Sequence, residues 1–194
     1  MVTSLARAWG AHIINPIARA LAALGLSPNL LTVLGFAATV VVSVIVAVGP
    51  LPLAGLLLII TLGFDAIDGT VARLTNTVSR FGAFLDSTLD RWAEIALYGA
   101  LIWRFVQADD GRGVLLAAAA LATSLMVSYT RARAEGIGVR CSEGWLTRFE
   151  RLVIFIAGLL LGKVIWALAF IAVLAGFTAF QRIWLTWCLT CCDQ

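Results

Sequence analysis

Six stretches of the chain are apolar over a length that suits a helix in a bilayer: about 30–48, 52–72, 83–106, 113–132, 152–162 with its flanks, and 164–187. Each is parted from the next by glycine, proline or charge, and a bilayer span needs about 20 residues. The fifth stretch is the shortest, because Gly162 and Lys163 close it; it gains length only by starting near Thr147, in the charged segment before it. Ahead of the first stretch the pattern changes. Leu5, Trp9, Ile13, Ile17, Leu21 and Leu24 recur about every four residues, Arg7, Asn15 and Arg19 take the opposite face, and Pro16 supplies a bend. This pattern predicts an interfacial amphipathic helix over 1–27 rather than a cleaved leader. The predicted fold is an all-α integral membrane protein: a juxtamembrane amphipathic helix, then a six-helix transmembrane bundle over 28–187, in one domain of 1–194.

Composition agrees. The 194 residues are 61% hydrophobic with a mean hydropathy of +0.98, where soluble domains are about half apolar, and six spans leave no room for a second, soluble domain. The net charge of +3 matters less than its placement. Six spans put both termini on one side, together with Arg7, Arg19, Arg73, Arg80, Arg131, Arg133, Arg140, Arg148, Arg151 and Arg182, against Arg104, Arg112 and Lys163 on the other. The positive-inside rule makes the arginine-rich side cytoplasmic and the protein a multi-pass component of the cell membrane. Membrane lipids are the expected surroundings, and no nucleic-acid partner is expected. The cysteines, Cys141, Cys188, Cys191 and Cys192, lie far from the single histidine, His12; a zinc site wants four suitably spaced ligands, so free thiols are expected. Gly158 and Gly162 form a small-xxx-small pair at which another helix could approach.

Against this background four aspartates stand out. A charge at the centre of a membrane helix costs about 2.5 to 3.5 kcal/mol on insertion scales, and less toward the interface. Asp65 and Asp68 are three residues apart, and Asp86 and Asp90 four apart, so each pair projects from one helix face. Turned together, the two faces make a tetracarboxylate pocket, whose like charges need a positive partner or a proton. Arg73 and Arg91 are near in sequence, but a divalent metal is the better partner: hard oxygen donors without His or Cys select Mg²⁺ or Mn²⁺. Four carboxylates suit two ions. Ala66, Gly69, Ala72 and Gly82 keep the surroundings small enough for a bulky polar ligand, and Arg73 and Arg80 offer charge to phosphate oxygens. Metals with arginines imply a phosphorylated substrate.

The string Asp65-x-x-Asp68-Gly69-x-x-Ala72-Arg73, eight residues, then Gly82-x-x-x-Asp86-x-x-x-Asp90 resembles the signature of the CDP-alcohol phosphotransferases at every fixed position. The resemblance implies a fold of six transmembrane helices behind a juxtamembrane helix. It also implies a reaction in which an alcohol hydroxyl attacks the β-phosphorus of a CDP-linked lipid and CMP leaves. Asp65, Asp68, Asp86 and Asp90 would bind the metals, and Asp90 would also be the catalytic general base. Asn29, Thr32, Gly69, Arg73 and Ser79 match positions that meet the CDP-lipid.

SYTRARAE at 128–135, RFER at 148–151 and the Gln181-Arg182 pair are similar to segments of the phosphatidylinositol phosphate synthases and their archaeal-type relatives. By that resemblance the donor is CDP-diacylglycerol, the acceptor is inositol 1-phosphate, and Ser128, Arg131, Arg151 and Arg182 grip the acceptor's phosphate. A homodimer is implied as well. The alternative task for these arginines is to enforce topology and meet anionic headgroups, and the segment CSEGWLT between Arg140 and Arg148 departs from the subfamily pattern. Glycerol 3-phosphate, giving a phosphatidylglycerophosphate synthase, is the competing acceptor, since both acceptors carry a phosphate. A divalent-cation channel or carrier is the competing class. It calls for polar residues continuing across the membrane, and LPLAGLLLIITLGF and EIALYGALIW offer hardly any.

Overall fold

The computed structural model describes residues 15–139, 144 and 146–191, and among them every regular element is helical. A helical segment at 15–23 precedes α1 (Pro28–Val48), α2 (Leu51–Leu74), α3 (Arg80–Gln107), α4 (Gly111–Gly136), α5 (Arg148–Leu160) and α6 (Val164–Cys191). The six apolar stretches correspond to these six helices. Residues 1–14 of the expected amphipathic helix lie outside the described residues. Within the remainder, Ala18 is buried against Leu31 and Val71 while Arg19 is exposed.

Four helices, α1, α2, α4 and α6, are long and apolar enough to cross a membrane. The other two fall short for different reasons. α3 has 28 residues, but Arg80, Asp86, Asp90, Arg91 and Glu94 crowd its first half. α5 has 13 residues, about 20 Å at 1.5 Å per residue. It does begin at the charged segment: Thr147 is its N-cap, and the Glu150 carboxylate accepts the Thr147 N–H at 2.9 Å and its hydroxyl, closing a capping box.

The chain divides into two compact units, one through Ser43 with Leu57–Ala96, the other Val44–Leu56 with the chain from Leu97 on. In the first unit α1 and α2 approach closely at Gly35, where a Cβ would lie 3.0 Å from the Phe64 Cβ. α2 ends in a Schellman-type turn: Asn76 takes a left-handed φ of 52°, and the Thr77 N–H returns to the Ala72 carbonyl at 3.0 Å. Ser79 then caps α3, its Oγ accepting the Gly82 N–H at 2.9 Å.

In the second unit α4 and α5 both pack on α6. Val127, Leu146, Ala175 and Ala179 form one buried cluster, and Tyr98 meets Phe155 edge-on with ring centroids 5.2 Å apart. Arg104 Nη1 donates to the carbonyls of Gly49 at 2.7 Å and Val46 at 3.2 Å, taking up acceptors that the end of α1 leaves without helical partners. The small-xxx-small pair serves the chain's own packing. Gly158 is buried where a Cβ would stand 2.5 Å from the Ala167 Cβ of α6, and Gly162 adopts φ +64° in the turn between α5 and α6.

Gly158→Ala is therefore expected to overpack the α5–α6 contact at a cost of about 1–3 kcal/mol, read as a lower melting temperature of the detergent-solubilised protein.

Candidate active site

The end of α2, the loop after it and the start of α3 meet the start of α1 around a cavity of about 330 Å³. Its wall carries Asn29 and Thr32 from α1, Asp68, Gly69 and Arg73 from α2, Ser79 from the loop, and Gly82 and Asp86 from α3. All five residues matched to CDP-lipid positions thus line one cavity together with two of the four aspartates. The short loop and its two caps fix this arrangement, because they hold α2 and α3 side by side at the level of the acids.

Asp68 is 6% exposed, and the Thr32 hydroxyl lies 2.7 Å from its Oδ2 and 3.0 Å from the Pro28 carbonyl. A hydroxyl has one proton to donate, so these acceptors compete for it. The family resemblance implies a place for Thr32 beside the nucleotide; the structure gives its hydroxyl a bond to a carboxylate. Arg73 folds back along its own helix, with Nη2 on Thr70 Oγ1 at 3.0 Å and Nη1 3.5 Å from where a Cβ on Gly69 would be. Gly82 is the tightest glycine of the cavity: a Cβ there would stand 3.1 Å from both Asn29 Oδ1 and Ser79 Oγ.

Asp90 lies one turn beyond Asp86 on α3, and its side chain is 14% exposed with Arg91 Nη2 3.5 Å from Oδ2. Arg91 Nε is in turn 3.7 Å from Glu94 Oε2. Asp65 lies on α2 three residues before Asp68, and its side chain is outside the described residues. Among the described residues no three acidic, histidine or cysteine side chains form a group that could hold an ion. The donor set itself suits a hard divalent cation: carboxylates from two adjacent helices, one of them buried and supported by a hydroxyl, with no nitrogen or sulfur among the residues lining the cavity as candidate ligands.

The residues matched to the acceptor phosphate lie in the second unit. Arg182 is 4% and Arg151 2% exposed. Arg182 Nη1 donates to the Val127 carbonyl at 2.5 Å, next to Ser128, and Arg151 Nη1 to the Leu146 carbonyl at 3.5 Å. Ser128 Oγ lies 3.5 Å from the Ser124 carbonyl one turn back. Arg131 is exposed and pairs with Glu135 at 2.8 Å. Arg151 thus meets Leu146, and Arg182 lies against Gly144, both between Arg140 and Arg148 in sequence. The sequence reading singled out neither Gly144 nor Thr178, which also meet.

The family model of CDP-alcohol phosphatidyltransferases matches residues 25–191. The chain belongs to the CDP-alcohol phosphatidyltransferase family. Within it, the chain is 35% identical to the phosphatidylinositol phosphate synthase of Corynebacterium glutamicum over 88% of this chain and 82% of that protein. It is 39% identical to the archaetidylinositol phosphate synthase of Methanothermobacter thermautotrophicus over 91% of this chain and 89% of that one. The fold matches the crystal structure of the Mycobacterium tuberculosis phosphatidylinositol phosphate synthase with CDP-DAG bound, with a TM-score of 0.86 and 32% identity over 91% of this chain and 94% of that one. A structure of the same mycobacterial enzyme in complex with manganese and citrate matches with a TM-score of 0.84 and 32% identity over 90% and 88%.

Gly82→Ala is expected to crowd Asn29 and Ser79 at a cost of about 1–3 kcal/mol, read as a lower melting temperature of the detergent-solubilised protein.

Proposed function

We propose that the protein transfers the phosphatidyl group of CDP-diacylglycerol to inositol 1-phosphate, giving phosphatidylinositol phosphate and CMP. The observation that carries this reading is the pair of buried arginines, Arg151 and Arg182, taken together with the cavity lined by Asp68, Gly69, Ala72, Arg73, Gly82 and Asp86 of the family signature. Similarity to a phosphatidylinositol phosphate synthase and an archaetidylinositol phosphate synthase supports the acceptor. Asn29, Thr32, Gly69, Arg73 and Ser79 bind the CDP moiety, with Arg73 meeting phosphate oxygens. Asp65, Asp68, Asp86 and Asp90 hold divalent metal, Mg²⁺ or Mn²⁺, as two ions; when bound, they neutralise the pyrophosphate and stabilise the leaving phosphate.

In the transfer, a hydroxyl oxygen of the acceptor forms a bond to the β-phosphorus, the phosphorus that carries the diacylglycerol. The bond from that phosphorus to the oxygen bridging it to CMP breaks, and CMP leaves with the electron pair. The hydroxyl's proton passes to the Asp90 carboxylate. Thr32 holds the Asp68 carboxylate in orientation. Ser128, Arg131, Arg151 and Arg182 hold the acceptor's phosphate, for which Arg131 exchanges its pairing with Glu135.

The helices form a single domain over 1–194. α1, α2 and α3 each contribute residues to both compact units, which supports that reading. All six helices cross the membrane behind the juxtamembrane helix, with both termini and the aspartates on the cytoplasmic side. The working form is a homodimer, as the family resemblance suggests.

CMP release by the purified protein with CDP-diacylglycerol and Mg²⁺, compared across acceptors, tests the assignment. Inositol 1-phosphate is expected to be preferred at least tenfold over glycerol 3-phosphate and free inositol, as about 1.4 kcal/mol of acceptor discrimination requires. Turnover with glycerol 3-phosphate alone would refute the acceptor while leaving the family chemistry intact. Asp90→Asn is expected to lower kcat by at least about a hundredfold, as loss of a general base does, with CDP-diacylglycerol binding retained. Near-normal turnover in that variant would remove Asp90 from the base role.

A further inference from the structure

Gly144 and Leu146 are held against α6 and the two buried arginines. The Leu146 N–H donates to Thr178 Oγ1 at 3.2 Å, and that hydroxyl donates onward to the Leu174 carbonyl at 2.8 Å. The Leu146 carbonyl accepts from Arg151 Nη1, and the Leu146 side chain, 4% exposed, packs with Val127, Ala175 and Ala179. Gly144 lies directly against the Arg182 guanidinium. A Cβ on it would stand 3.1 Å from Arg182 Nη2, 3.3 Å from Nε and 2.8 Å from Thr178 Cγ2.

Arg182 cannot simply retreat from such a methyl. Its Nη1 is tied to the Val127 carbonyl of α4 at 2.5 Å, and Thr178 stands one turn before it on the same helix, fully buried. The guanidinium is planar and its donors form a rigid fork, so a shift at the Nη2–Nε edge turns every donor it presents. One hydroxyl on α6 thus sets the position of the loop, and the side chain missing at residue 144 sets the space for the arginine.

We propose that Gly144 and Thr178 are positioning residues for the acceptor's phosphate: Thr178 pins the loop through Leu146, and the bare Cα of Gly144 holds Arg182 at the angle that receives the phosphate. This inference rests on the reading of Arg151 and Arg182 as the acceptor-phosphate site. It assigns a task to Gly144 and Leu146, two residues of the stretch between Arg140 and Arg148, and makes them part of acceptor recognition.

The test is steady-state CMP release by the full chain in detergent, varying inositol 1-phosphate at saturating CDP-diacylglycerol and then the reverse. Gly144→Ala is expected to raise the acceptor KM about tenfold, on the scale by which small misplacements of positioning groups act, with kcat and the lipid KM within about twofold. Adding Thr178→Ser keeps the hydroxyl and removes Cγ2, the nearest atom to the new methyl, and is expected to return only part of the acceptor affinity, because the Arg182 contacts and the φ of +159° at residue 144 remain. Thr178→Val, which cannot accept the Leu146 N–H, is expected to raise the acceptor KM as well, and it carries the test if the alanine variant does not fold.

An unchanged acceptor KM in Gly144→Ala and Thr178→Val, with a raised one in Arg182→Ala and Arg151→Ala, would overturn the positioning role and leave the phosphate site standing. If the two arginine variants also left the acceptor KM unmoved, the phosphate site would fall, and the positioning role with it. Equal increases in both substrates' KM in Gly144→Ala and Thr178→Val would mark the loop as a folding element only and overturn the proposal.

Discussion

Charge inside apolar helices must be solvated by the protein itself, and that constraint organises this fold. Burying an ionised group without polar partners is expensive. Asp68 takes a threonine hydroxyl. Arg104, Arg151 and Arg182 reach backbone carbonyls at places where the chain leaves or crosses a helix: the end of α1, the loop before α5 and the middle of α4. Each of these contacts does two jobs. It gives the charge a polar partner, and it joins two elements or an element and a loop.

The same logic separates the two kinds of arginine in the basic region. Arg131, exposed and paired with Glu135 one turn on, is held by a surface contact worth little in water and can exchange partners at small cost. Arg151 and Arg182 are buried, so their orientation is part of the fold. A site built from one mobile and two fixed cations can capture an anion with the first and orient it with the others.

Much of this was legible beforehand because the informative spacings are local. The helical period puts each aspartate pair on one face of its helix, and turning the two faces together across the short loop brings Asp68 and Asp86 to one place, where the structure lines a cavity with both. Hydropathy located all six helices, and the N-cap at Thr147 resolved the fifth. The Arg131–Glu135 pair was also present in the spacing, four residues apart, but went unread beside the more conspicuous arginine cluster. Thr32 and Gly144 were not legible in their present roles. Their partners, Asp68 and Arg182, are 36 and 38 positions away, and no periodicity within a helix announces a contact made between helices or by an irregular loop.

The length of α5 has a consequence for the lipid around the protein. A helix of 13 residues covers about 20 Å, roughly 10 Å less than the hydrocarbon core of an ordinary bilayer. In the proposed arrangement of six crossings, the membrane beside it must thin, or polar groups from the loops must be drawn inward. Either response brings water and headgroups closer to the midplane on that flank. On that arrangement the enzyme carries its own thin patch of membrane, and the acyl-chain length of its host lipids becomes a setting on how deeply the aqueous phase penetrates beside it.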